Sequence, residues 1–138
     1  MTDPQGLLDT SALLALPRLQ DASDLPDVAL ISSITLAELS VGPLVTADEA
    51  ERARRLAHVQ QAEADFDPLP FDAAAARAFG TVAAAYRRSG RKPAARALDA
   101  LIAATAVANR LPLYTANPVD FEGIDGLVVR PVDAGDAG

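Results

Sequence analysis

Cysteine is absent from the 138 residues, so no disulfide, thiolate nucleophile or Cys-containing zinc site is open to the chain. Tryptophan is absent as well. Aromatics make up 4% of the residues against 50% hydrophobic overall, so a core must be built from alanine, leucine and valine. Only one histidine occurs, His58, between Ala57 and Val59 on a mixed charged stretch, and no His-paired nucleophile motif surrounds it. No glycine-rich phosphate loop occurs, which counts against nucleotide-driven chemistry. Apolar runs are short, and none approaches the roughly 18 residues of a membrane span. Residues 1–16, MTDPQGLLDTSALLAL, have no basic start and carry Asp9 inside their apolar run, so they do not read as a signal peptide. The expectation is a soluble, cytoplasmic protein with no membrane association.

Acid is missing from one basic stretch. The formal net charge is −7, which argues against a non-specific polyanion binder. Residues 73–98 nevertheless contain no Asp or Glu. They hold Arg77, Arg87, Arg88, Arg91, Lys92 and Arg96, half of the 12 Lys and Arg. Such a stretch can follow a phosphate backbone. It can equally be a solvated helix end whose cations suit the C-terminal dipole.

The length fits one domain, which buries roughly two-thirds of its unfolded surface. Gly6 to Asp9 reads as a short buried strand, after which Thr10 or Ser11 caps a helix ended by Pro17. Val28 to Ile31 is continuously apolar, as in a strand covered on both faces. Ser32 or Ser33 leads into the helix ITLAELSV, stopped by Gly42 and Pro43. Thr46 and Glu49 have capping-box spacing ahead of a charged helix reaching about Ala64. Asp67 to Pro70 reads as a third strand. Asp72 caps an alanine-rich helix that ends at Gly90, and another helix spans 94–109. Leu113 to Thr115 and Gly126 to Val129 read as the fourth and fifth strands. The tail DAGDAG reads as disordered. Strands alternating with helices imply a parallel sheet with helices on both faces.

Lone carboxylates stand in apolar company at three places. Asp9 ends the first strand, Glu38 sits among Leu36, Ala37, Leu39 and Val41, and Asp99 lies in ALDALIAATAVA. A buried carboxylate without a partner is costly, so Asp99 is protonated, salt-bridged, capping a helix or holding a cation. Asn117 and Asp120 add oxygen ligands in the turn after the fourth strand. Ligands of open α/β sheets bind outside the carboxyl ends of the strands, and these acids converge on that rim. Four carboxylates together repel unless a cation neutralises them. All-oxygen ligation selects Mg²⁺ or Mn²⁺ over zinc, and such ions suit phosphodiester hydrolysis. Each acid also has a plain structural reading. Asp9 or Asp99 could cap a helix, Glu38 could pair with an arginine, and Asn117 and Asp120 are common turn formers beside Pro118.

The segments LLDTSALLAL, ITLAELSVG and LDALIAATAVANRLPLYTANPVDF resemble the PIN-domain family and, more narrowly, the VapC-type toxins of bacterial toxin–antitoxin pairs. The resemblance runs from about Gly6 to Val129, and LDALIAATA with TANPVDF is its most specific part. It implies a three-layer α/β/α fold with a five-stranded parallel sheet and a Mg²⁺- or Mn²⁺-dependent endoribonuclease. The family's acids fall on Asp9, Glu38, Asp99 and Asp120. Asn117 stands where some relatives carry Asp, leaving open which of Asn117 and Asp120 is nearer the metal. Thr10 and Thr115 match hydroxyls that bond ligand waters. The resemblance also implies a homodimer, a small cognate antitoxin and structured RNA targets such as transfer or ribosomal RNA. In this reading Asp9, Asp99 and Asp120 hold the metal, and Glu38 holds a second ion, orients water or acts as base. Arg87, Arg88, Arg91 and Lys92 then track the RNA backbone. The rival readings are a catalytically silent module that binds RNA or protein, and a phosphotransferase or phosphatase with Asp9 as nucleophile. A second Asp two residues after Asp9 would favour the latter, and Ser11 stands there instead.

Overall fold

The computed structural model describes residues 2–19, 22–92 and 96–133. Nine elements form the frame: β1 (Gln5–Leu8), α1 (Thr10–Ala15), β2 (Val28–Ile31), α2 (Ser33–Val41), α3 (Glu49–Asp65), α4 (Ala73–Arg88), α5 (Ala97–Ala108), β3 (Leu113–Thr115) and β4 (Val129–Pro131). The sheet has the order β2-β1-β3-β4 and every pairing is parallel. Register follows the period of two along each strand. Leu30, Leu7, Leu113 and Val129 line up across the four strands and pack with α4 and α5. Ile31, Leu8 and Tyr114 line up on the other face and pack with Ala12, Leu39, Val59 and Ala62 of the first three helices. Helices therefore cover both faces, as the continuous apolar strands require.

Among the described residues four strands form, not the expected five. The third expected strand, from Asp67 to Pro70, is reduced to one parallel bridge between Leu69 and Ser32. Leu69 N–H donates to the Ile31 carbonyl at 2.9 Å, and Ser33 N–H donates to the Leu69 carbonyl at 2.8 Å. Among the described residues no bridge to β2 forms beyond Leu69, and Pro68 and Pro70, whose nitrogens face away from β2 and carry no N–H, close that outer edge to further pairing. The last strand also lies further on than Gly126 to Val129. Gly126 has φ +82°, a turn conformation that stops a strand from starting there.

Helix starts follow short polar side chains. Asp9, Ser32, Asp48 and Asp72 each accept a backbone N–H at the head of α1, α2, α3 and α4. Asp48 takes the place expected for Thr46, whose hydroxyl instead accepts the Asp48 N–H at 3.3 Å. Asp9 is the cap of α1, in place of Thr10 or Ser11. Among the described residues α5 begins at Ala97, and position 94, where its start was expected, lies outside them. Most of the C-terminal tail, 134–138, also lies outside the described residues. Buried alanines, among them Ala85 of α4 and Ala100, Ala103 and Ala104 of α5, line the core against the face formed by Leu7, Leu30, Leu113 and Val129. Gly6 allows the Tyr114 ring to cross β1, since a Cβ there would meet that ring at 2.4 Å. Among the described residues no helix is long and apolar enough to cross a membrane.

Candidate active site

Asp9 follows β1 and is 5% exposed. Its Oδ1 accepts from Ala12 N–H at 2.8 Å and from Ser11 Oγ at 2.7 Å. Its Oδ2 accepts from Thr115 Oγ1, at the end of β3, at 2.6 Å. The cap reading of Asp9 is thus correct and also incomplete, because only one of its oxygens serves the helix. Burial raises the Asp9 pKa above its ordinary value, the three hydrogen bonds lower it, and the nearby Asp120 raises it.

Glu38 lies in the middle of α2. Thr10 Oγ1 donates to Glu38 Oε1 at 2.8 Å and lies 3.1 Å from the buried Thr35 Oγ1. A hydroxyl has one proton, so Thr10 shares it between the Glu38 carboxylate, the nearer acceptor, and the Thr35 oxygen. Among the described residues Glu38 forms no ion pair with an arginine. Arg55, which lines the same small cavity, is held by Glu51 at 2.9 Å.

Asp99 lies in the first turn of α5, one turn inside the helix, and is not its cap. The negative charge there suits the N-terminal dipole. Its pKa is pushed up to about 6, first by burial, then by Asp120 and Asp9, with a smaller push from Glu38 and an opposing pull from Arg96. Carboxylates from four separate elements therefore act on one another at one rim of the sheet. Asp120 sits in the short 3₁₀ turn Pro118–Phe121 after β3. Asn117 contributes its backbone N–H to Thr115 Oγ1 at 2.9 Å, and the residue is exposed. Of the two, Asp120 is the one whose charge acts on Asp9 and Asp99.

The family model for the PIN domain matches residues 7–127. The chain belongs to the PIN-domain family. It is 39% identical over 127 residues to Ribonuclease VapC5 of Mycobacterium tuberculosis, with 91% of each chain covered. It is 36% identical over 101 residues to Ribonuclease VapC8 of the same organism, covering 73% of this chain and 89% of that one. Its fold is similar to that in the crystal structure of VapBC-5 from Mycobacterium tuberculosis, a member of the VapBC family of toxin–antitoxin systems. There the TM-score is 0.81 at 35% identity, covering 94% of this chain and 99% of that chain. Within the PIN-domain family its relatives are thus of the VapC type.

The basic stretch of this PIN domain divides in two. Arg87, Arg88 and Lys92 are exposed, and Arg88 makes only a 3.6 Å pair with the exposed Asp125. Arg91 turns inward. Its guanidinium donates to the Asp120 carbonyl at 2.6 Å, to Ser89 Oγ at 2.8 Å and to the Glu122 carbonyl. Arg96 lies in the acidic site, with Nη1 3.4 Å from Asp120 Oδ1 and 3.8 Å from Asp99 Oδ2. Sequence reasoning did not single out Arg96, Ser11 or Tyr86. The i,i+3 spacing of Arg96 and Asp99 was the available signal for the first. For Ser11 it was its place two residues after Asp9.

In donor chemistry the site fits a hard divalent cation: the ligand atoms are carboxylate oxygens, with no sulfur or imidazole among them. In arrangement it is centred on a guanidinium. Among the described residues no three Asp, Glu, His or Cys side chains stand close enough together to cage an ion. A cavity of about 390 Å³ lies elsewhere and is mainly apolar, lined by Leu13, Leu16, Pro17 and Phe66 among others. A smaller one of about 210 Å³ touches the site through Thr10 and Glu38 and shares Leu14, Leu39 and His58 with the large one.

Proposed function

We propose that this chain is a Mg²⁺- or Mn²⁺-dependent endoribonuclease toxin of a toxin–antitoxin pair, cutting structured RNA such as transfer or ribosomal RNA. The observation that carries the reading is the Asp99 carboxyl, raised to about 6 by burial and then by Asp120, Asp9 and Glu38. Four acids from four elements share one electrostatic site on a chain whose relatives are named ribonucleases. Asp9, Asp99 and Asp120 would hold the ion, which, when bound, supplies Lewis-acid charge and a more acidic water. Ser11 and Thr115 orient Asp9 through both of its oxygens. Thr10 orients Glu38, which would hold a second ion, position the attacking water or take its proton. The exposed Arg87, Arg88 and Lys92 contact the RNA backbone, adding affinity without sequence choice.

A cognate antitoxin is the partner, in line with the VapBC complex to which the fold is similar. Leu14, Val41, Leu44, Val45 and Leu56 are exposed on α1, α2, α3 and the turn between the last two. A covering partner segment would remove this apolar surface from water. The assembly is a homodimer and the location is cytoplasmic.

A second reading is favoured by one observation, the guanidinium of Arg96 beside Asp99 and Asp120. In that reading the fold is catalytically silent and binds RNA or protein. The deciding experiment is cleavage of a structured RNA with Mg²⁺ or Mn²⁺, with EDTA and Asp99→Asn as controls. Metal-dependent cleavage lost in Asp99→Asn supports the nuclease. RNA binding without cleavage, unchanged by Asp99→Asn, supports the silent module.

A further inference from the structure

We propose that Arg96 is the resting counter-ion of the acidic site, holding Asp99 and Asp120 together until a divalent ion displaces its guanidinium. The inference rests on the metal-dependent reading above. At 3.4 and 3.8 Å the two contacts are those of an ion pair without a tight hydrogen bond. Arg96 is the only cation that pairs with either carboxylate among the described residues. Arg91, the other inward guanidinium, is directed at backbone carbonyls and Ser89.

Among the described residues the Arg96 side chain makes no contact besides these that would keep it there. It is the residue before α5, and its side chain makes no cap hydrogen bond. A positive charge at a helix N-terminus opposes the dipole, so the helix does not call for it. The acids do, because Asp120, Asp9 and Glu38 all raise the energy of ionised Asp99 and Arg96 alone lowers it. An arginine cannot shed its charge to make room for another cation. It must move, and its side chain, 42% exposed, is already partly in solvent. An ion of twice the charge, held by the same carboxylates, replaces it and repels it. Metal affinity is thereby set below the intrinsic value of the carboxylates, by the fraction of molecules in which the guanidinium occupies them.

The test is Mn²⁺ binding to the full chain without antitoxin, by calorimetry and by the electron paramagnetic resonance signal of free Mn²⁺. Wild type, Arg96→Gln, Arg96→Lys and Asp99→Asn are compared, with circular dichroism to check folding. Arg96→Gln is expected to bind Mn²⁺ roughly two- to fivefold more tightly, the range for partly exposed ion pairs. Arg96→Lys, folding like wild type, is expected in between. Arg96→Gln should also melt lower than wild type in EDTA and gain more on Mn²⁺ addition. Equal or weaker binding by Arg96→Gln and Arg96→Lys, with binding lost in Asp99→Asn, overturns the exchange and leaves the metal site standing. Binding absent from every variant, or undiminished in Asp99→Asn, overturns the metal site and the exchange with it.

Discussion

Arg91 lays its guanidinium over the ring of Tyr86, 4.3 Å from the centroid, and both side chains end on the same atom. That atom is the Asp120 carbonyl oxygen, which accepts from Arg91 Nη1 at 2.6 Å and from the Tyr86 hydroxyl at 3.1 Å. The end of α4 thus holds the turn that carries an acid of the site. The Tyr86 hydroxyl stays protonated, its pKa pushed up to about 12 by burial and then by Asp99. Arg91→Ala removes the stacking and the charge-assisted bonds and should lower stability by about 1–3 kcal/mol in urea unfolding. RNA cleavage should fall because Asp120 loosens, while the salt dependence of RNA binding stays as in wild type. A flatter salt dependence would mean that Arg91 contacts phosphate after all.

Arg87→Ala, Arg88→Ala and Lys92→Ala should behave in the opposite way. These side chains lie in solvent, so each replacement should leave stability within about 0.5 kcal/mol of wild type. Removing one cation from the phosphate backbone should reduce the slope of log K against log salt by about 0.7–0.9. Fluorescence anisotropy of a labelled RNA across a salt series measures it. Unchanged slopes in all three would remove the basic face from the RNA path.

The division between Arg91 and its neighbours shows where reading the chain as a sequence reached its limit. The strands GLL and VALI, the caps Ser32 and Asp72, and the acids Asp9, Glu38 and Asp99 were legible, while the first cap was placed one or two residues late. Apolar continuity, cap chemistry and a carboxylate in apolar company are each local signals. Direction was not local. Arg87, Arg88, Arg91, Lys92 and Arg96 read as one basic patch, but α4 ends at Arg88 and the chain turns before α5. Two of the five therefore point back at carbonyls and carboxylates. The missing fifth strand was a local signal misread, since two prolines in the four residues from Asp67 to Pro70 suit a sheet edge and not a fully paired strand. That the Asp120 carboxylate acts on Asp9 and Asp99 and pairs with Arg96 depended on a 3₁₀ turn that the family resemblance did not specify.

Thr115 bonds the carboxylate nearest the sheet, and its hydroxyl has two duties. It donates to Asp9 Oδ2 at 2.6 Å and accepts the Asn117 N–H at 2.9 Å. Thr115→Val keeps the shape and leaves both groups without that partner in a buried place, which should cost about 1–3 kcal/mol. Because the Thr115 bond lowers the Asp9 pKa, the variant's Asp9 should titrate still higher. Cleavage should drop, most of all at low pH. Thr115→Ser restores the hydroxyl and should recover most of both losses, a recovery that a packing role for the methyl group would not give.

Asp99 supplies the sharpest dependence on pH. Its pKa rises from 3.8 to about 6 in the folded chain, by burial first and then by Asp120, Asp9 and Glu38, against the pull of Arg96. The folded protein therefore keeps the Asp99 proton to higher pH than the unfolded chain does. Between those two values the unfolded state binds fewer protons, so stability falls as pH rises through the window and levels off above about 6. Asp9, also raised, adds a fall of the same sign. Asp3 and Glu51 are lowered by Arg130 and Arg54 and change in the opposite sense, so a comparison with a variant isolates Asp99. Asp99→Asn cannot ionise, so its stability relative to wild type should rise between pH 4 and 6 and hold from there to pH 7. In EDTA at pH 7 it should exceed wild type by on the order of 1 kcal/mol, after allowing for solvent screening and the lost pair with Arg96. Urea unfolding of both proteins across that range measures the difference. Parallel curves would show that ionised Asp99 is not destabilised by its neighbours, and that the four acids do not share a site.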